Sequence, residues 1–207
     1  MDEREVGRRV RDGIIGLVTG TGDIVEATVS TVAGVVKTAV GETGSTAGAV
    51  GTVGVGAVRG AIGAVGDIGE EAAETAADGV VAAVDAASKI GNKVGGAAKG
   101  AVIGTIQGAG EIGTEGLGAI QETTSAAVAE AAEVGADITT AAVGAVEGAL
   151  DGAQQLGVKA EEAASSAATG AIEAAGEISE AAARRVRRSV TGTIKGVRVV
   201  AKTAIGE

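Results

Sequence analysis

Residues 101–122 read AVIGTIQGAGEIGTEGLGAIQE and residues 145–166 read AVEGALDGAQQLGVKAEEAASS. Set one above the other they match column by column. The fourth residue is Gly104 or Gly148, the sixth Ile106 or Leu150, the eighth Gly108 or Gly152, and the twelfth Ile112 or Leu156. The same 22-residue step runs outward in both directions without insertion, with repeats beginning at Gly13, Val35, Ala57, Gly79, Ala101, Thr123, Ala145, Ala167 and Ser189. Column six is aliphatic in all nine: Val18, Val40, Ile62, Val84, Ile106, Val128, Leu150, Ile172 and Ile194. Column twelve is aliphatic in eight, with Thr46 the exception, and the column before it is polar in eight, with Val199 the exception. A period this regular describes a surface made by repetition and not a pocket.

Composition narrows what that surface can be. The 207 residues contain no Phe, Tyr, Trp, His, Cys or Pro, and the single Met is residue 1. The bulky residues that dominate ordinary cores are missing, so stability must come from close packing of Ala, Gly, Val and Ile, from assembly, or from an external apolar surface. With 45% apolar residues the chain is too hydrophobic for ordinary disorder. Lack of Cys excludes disulfides and thiolate chemistry, and lack of Cys and His together excludes the usual zinc sites. The N-terminal residues MDEREVGRRVRDG alternate acids and bases, unlike a signal peptide. The longest uncharged run, Thr43 to Val58, has 16 residues and is too short to cross a bilayer. The expected location is cytoplasmic, with any contact to a membrane or storage granule peripheral.

Twenty-two is twice eleven, and eleven residues make three helical turns, so the pattern keeps one stripe nearly straight along an α-helix. On that wheel columns 2, 5, 6, 9, 13, 16, 17 and 20 form one broad apolar arc, and the charges fall mainly opposite. The expected fold is all-α: long amphipathic helices that may be written as 2–40, 57–90 and 97–205, bent into antiparallel hairpins. Unbroken, the chain would span about 310 Å. Gly-rich stretches at 41–56 and 91–96 are candidate hinges, with a further bend near 113–118. Residues 1–12 then form a charged cap, 13–188 eight repeats, and 189–207 a truncated basic amphipathic repeat. The alternative is a parallel β-solenoid with one coil per repeat, for which strict alternation around Ala49 to Val58 is the local support.

The 37 glycines oppose helix, at about 0.8–1 kcal/mol each relative to Ala, or roughly 30 kcal/mol in all. Their positions suggest what offsets that cost. Gly16/Gly20, Gly104/Gly108, Gly148/Gly152 and Gly192/Gly196 are small-xxx-small pairs that let helices approach closely. The competing reading is that these glycines reflect biased composition alone.

Residues 8–11 and 184–187 both read RRVR, eight repeats apart. From Arg184 to Glu207 seven bases (Arg184, Arg185, Arg187, Arg188, Lys195, Arg198 and Lys202) meet one acid, which leaves −16 on the rest of a chain whose net charge is −10. The pattern suits a cationic helix at a lipid interface, and equally a solvated cap that stops stacking. Nucleic acid is not expected as a partner, because the body is acidic and no stacking aromatics exist.

Catalytic motifs are explained by the repeat. Gly108, Gly110 and Gly113 spell GxGxxG, but they stand in register with neighbouring repeats and lack βαβ surroundings. Glu70/Glu71 and Glu161/Glu162 pair carboxylates as a solvated helix face does, without the apolar wall or His that acid–base work uses. We expect no enzyme, cofactor or metal.

The 11/22-residue amphipathic period, with its Gly, Val, Ala and Thr, resembles that of the synucleins, perilipins and exchangeable apolipoproteins, and more loosely the phasins. The resemblance implies reversible coating of a lipid or granule surface, with coil-to-helix ordering on binding. The residues themselves also support a self-associating scaffold packed through the Gly/Ala grooves, or a desiccation protectant similar to late-embryogenesis-abundant proteins.

Overall fold

The computed structural model describes residues 3–21, 31, 34–35, 38, 47–68, 72–89, 94–112, 116–156 and 159–201. Among these the helices are α1 (Glu3–Thr21), α2 (Ala47–Ile68), α3 (Ala72–Lys89), α4 (Val94–Ile112), α5 (Gly116–Glu133), α6 (Ile138–Leu156), α7 (Ala160–Ile178) and α8 (Glu180–Val190). Strands β1 (Gly192–Ile194) and β2 (Val197–Val199) follow. The all-α expectation holds, and the described residues contain no β-solenoid.

Helices α3 to α7 begin at residues 72, 94, 116, 138 and 160, each 22 after the last. The helix expected over 97–205, with a bend near 113–118, is instead several helices, new ones starting at 116, 138, 160 and 180. A single long helix would leave its stripe in water, whereas short helices folded back on one another bury it. The turn between α5 and α6 shows how the break is made. Gly135 takes a left-handed φ of 69°. Its amide donates to the Ala132 carbonyl (3.1 Å) and that of Ala136 to the Ala131 carbonyl (2.7 Å), the paired bonds of a Schellman stop. Asp137 then starts α6, its carboxylate accepting from the Thr139 amide (3.0 Å) and the Thr140 hydroxyl (2.8 Å).

The helices form two layers. In one, α1, α2, α4 and α6 lie side by side; in the other, α3, α5 and α7 do; from α2 to α7, helices consecutive among those described pack across the layers. α8 closes the C-terminal end against α7 and α6, and β2 rests on α7. Between the layers a single core of Ala, Val and Ile runs through the array, and Leu150 and Ile62 are among its largest wholly buried side chains.

Two expectations need correction. Residues 47–56 and 94–96, read as hinges, are helical turns of α2 and α4; residues 41–46 and 91–93 lie outside the described residues. Gly51, Gly54 and Gly56 are there because neighbours are close: a Cβ at Gly54 would sit 3.1 Å from the Ala97 carbonyl oxygen, and one at Gly56 would sit 2.8 Å from Val6 Cβ. Residues 192–199, read as part of a basic helix, are an antiparallel hairpin pairing Ile194 with Val197 and Gly192 with Val199. Lys195 (φ 47°) and Gly196 (φ 81°) are both left-handed, the conformation of a tight two-residue hairpin turn, and β-branched residues flank them.

Candidate functional site

The glycine seams are the most distinctive feature of the packing. Between α2 and α4, α4 and α6, and α5 and α7, parallel neighbours meet at residues 49 apart. A Cβ added at Gly100 would collide with the Gly51 carbonyl oxygen, one at Gly144 with that of Gly95, one at Gly148 with that of Lys99, and one at Gly170 with that of Gln121. At Gly104 the same Cβ would lie 2.6 Å from the Val55 carbonyl oxygen. α1 and α2 meet at a different offset, 53 residues: a Cβ added at Gly56 would collide with the Glu3 carbonyl oxygen and one at Gly60 with that of Gly7. Only glycine admits such backbone approach, and close approach recovers the dispersion contact that small side chains cannot supply.

Of the helix-packing glycines expected from sequence, Gly104, Gly108, Gly148 and Gly152 occupy such contacts. A Cβ added at Gly108 would lie 2.9 Å from Ile62 Cβ, and one at Gly152 would lie 2.8 Å from Ile106 Cδ1. Gly16 and Gly20 lie in α1, where side-chain surroundings fall outside the described residues. Gly192 and Gly196 pack no helix; they have left-handed φ and open space around them, in the hairpin. Of the GxGxxG spelling, Gly108 and Gly110 lie within α4, and Gly113 lies outside the described residues.

The aliphatic stripe is turned inward. Ile62, Val84, Ile106, Val128, Leu150 and Ile172 are all buried in the common core, and Ile194 packs against it half-buried. Val18 lies in α1 without a described side chain, and Val40 lies outside the described residues.

The basic end is partly consumed by the acidic body. Lys195 Nζ reaches Asp151 Oδ1 at 2.7 Å, and Lys99 Nζ reaches Asp151 Oδ2 at the same distance, so one carboxylate on α6 ties α4 to the hairpin turn. Partial burial pushes the Asp151 carboxyl up, but the bonds from Lys195 and Lys99 outweigh it and hold the group below the ordinary carboxylate range. The bond to Asp151 likewise raises Lys99, against some desolvation. Arg185 donates to Thr139 Oγ1 (3.2 Å) and lies 3.7 Å from Asp137. The Thr140 hydroxyl bond, opposed by partial burial, together with the Thr139 amide and Arg185, keeps Asp137 low. Arg184 pairs with Glu180 at 3.1 Å. Arg187 is half-buried, Arg188 and Arg198 are exposed, and Lys202 lies outside the described residues.

Sequence reasoning missed a buried polar group. Thr105 and Thr123, on α4 and α5, are wholly buried with their hydroxyls 3.0 Å apart. Thr105 Oγ1 donates to the Ala101 carbonyl at 3.1 Å, which leaves the Thr123 hydroxyl to donate to it. Beside them Thr124 Oγ1 is buried without a partner. Their columns carry hydroxyl residues too irregularly for the repeat to reveal them.

Two surface grooves follow the seams: one of about 620 Å³ over α2, α4 and α6, floored by Gly95, Gly100 and Gly144 with Lys99 and Gln107 at its sides, and one of about 1050 Å³ between α5 and α7. No three carboxylates converge among the described residues as a metal site requires. No described helix is long and apolar enough to cross a membrane. No protein-family model, curated protein or solved structure matches the chain.

Proposed function

We propose that this chain is a non-enzymatic, self-associating structural scaffold, in which glycine and alanine faces and an aliphatic stripe pack helix on helix. The seam relation supports this reading: contacts between residues 49 apart recur between α2 and α4, α4 and α6, and α5 and α7, with glycine where a Cβ would strike the neighbouring carbonyl. Positions so constrained serve packing, and each new helix pair adds the same contact to the last. Both ends are charged: Val10 and Val186 of the two RRVR segments are wholly buried while Arg8, Arg9, Arg184 and Arg185 face solvent. That arrangement keeps the array soluble at its edges.

A second reading, a coat on a lipid or granule surface, rests on the continuity of the stripe. Six of its members lie in one core, so parting the layers would present them together to an apolar surface. Sedimentation mass with and without neutral or anionic vesicles separates the two. A helical oligomer that ignores vesicles supports the scaffold. A helical monomer that floats with vesicles supports the coat.

A further inference from the structure

α7 and α8 are joined by one residue. Ser179 is extended (φ −172°, ψ 156°), and its hydroxyl accepts from the Ala182 amide at 3.1 Å to cap α8. Nothing else at the junction breaks a helix. The stretch from Ala174 to Arg185 reads AAGEISEAAARR, strong helix formers apart from one Gly, one Ile and one Ser. The ladder nearly passes through: Ser179 N–H donates to the Ala175 carbonyl (3.1 Å) and Ala183 N–H to the Ser179 carbonyl (3.0 Å). Residues 176–181 are all exposed, Ile178 at 47%, so no neighbour holds the bend. The α5–α6 turn is different in kind: four residues, Val134 to Asp137, with a left-handed glycine at Gly135. Ser179 stands in the column that Gly135 occupies, 44 residues earlier.

What α8 and the hairpin hold on to is light. Val186, Val190 and Val199 are buried, Arg185 and Lys195 reach Asp137 and Asp151, and the Val200 amide donates to Ser165 Oγ at 3.2 Å. The Arg185–Asp137 pair is exposed and the Lys195–Asp151 pair only partly buried, so each is individually weak.

We propose that Ser179 is an exchange hinge. In a second state α7 and α8 merge into one helix, and residues 180–201 leave their own chain to dock on α6 and α7 of a second copy. The partner is identical, so the Val pockets and the Asp137 and Asp151 carboxylates receive the same groups and no new complementarity is required. Ile178 then lies inside a continuous helix instead of at the last position of α7. The inference rests on the scaffold reading and supplies its mode of association.

Three variants test it by sedimentation mass across a concentration series, with circular dichroism on the same samples. Ser179→Ala removes the cap and favours the continuous helix, so its dimer association constant should rise about fivefold. Glu180→Pro places proline at the first position of α8, where it is accepted after an extended residue, and forbids the merged helix; it should be monomeric. Glu180→Ala controls for the lost Arg184 pair and should associate like the parent chain. Association undiminished in Glu180→Pro, or unmoved in Ser179→Ala, overturns the hinge while leaving self-association through another face. A parent chain monomeric at every concentration overturns both, and absence of helix in buffer overturns the scaffold itself.

Discussion

Gly104 of α4 is held against Val55 of α2 so closely that a Cβ on Gly104 would lie 2.6 Å from the Val55 carbonyl oxygen. Gly176, in α7, has nothing within 4 Å of the same construction. Helix propensity alone would favour alanine at both. We expect Gly176→Ala to stabilise the fold by about 0.5–1 kcal/mol and Gly104→Ala to destabilise it by about 1–3 kcal/mol, because the layer must spread to admit the methyl. Denaturant midpoints of the two variants check this. Two shifts of the same sign would mean that the seam does not constrain α4.

Thr124 carries a buried hydroxyl without a partner. Replacing it with the nearly isosteric valine removes a desolvation cost, so Thr124→Val should raise stability by about 1 kcal/mol. A calorimetric melt reads the change.

Thr105 and Thr123 behave in the opposite way, since the Thr123 hydroxyl donates to Thr105, which itself donates to the Ala101 carbonyl. Thr105→Val leaves the Thr123 hydroxyl without its acceptor and should cost about 1–2 kcal/mol, Thr123→Val should cost less, and adding Thr123→Val to Thr105→Val should recover most of the loss. Additive losses in the double-mutant cycle would show that the hydroxyls are not coupled.

Asp151 and Asp137 are both held below the ordinary carboxylate range. For a group depressed on folding, the stabilisation is fully present above the unfolded value near 4 and is lost as pH falls through the lower folded value. Stability should therefore hold down to about pH 5 and decline below it, first for the contacts of α6 with α8 and the hairpin. Asp151→Asn should lower stability at pH 7 by about 1 kcal/mol and flatten the acid decline. Urea midpoints between pH 7 and pH 3 for parent and variant provide the comparison.

The helical class, the stripe and four of the packing glycines were legible because each rests on a period, and Ile106, Leu150, Gly104 and Gly148 all sit where the period puts them. Chain reversal at each repeat was not read, although a signal was present. Gly69, Gly91, Gly113, Gly135 and Gly157 share the thirteenth column, and Gly135 is the left-handed stop of α5. Treated as one more small residue on a continuous stripe, that column looks like part of the apolar arc. Asp137, two residues on, is the cap that turns a weak glycine into a boundary. The hairpin was missed because Ile194 and Arg198 also satisfy a helical wheel; the Lys195-Gly196 turn decides for strand. Thr105 and Thr123 meet across two helices, a relation that no single column contains.

Six residues of the stripe are buried in the protein's own core. Far-ultraviolet circular dichroism of the chain in buffer, followed through a thermal melt with and without vesicles, reads whether they stay there. Strong helix in buffer, one cooperative transition, and a spectrum unchanged by neutral or anionic lipid are expected. A coil in buffer that becomes helical only on vesicles would contradict that burial.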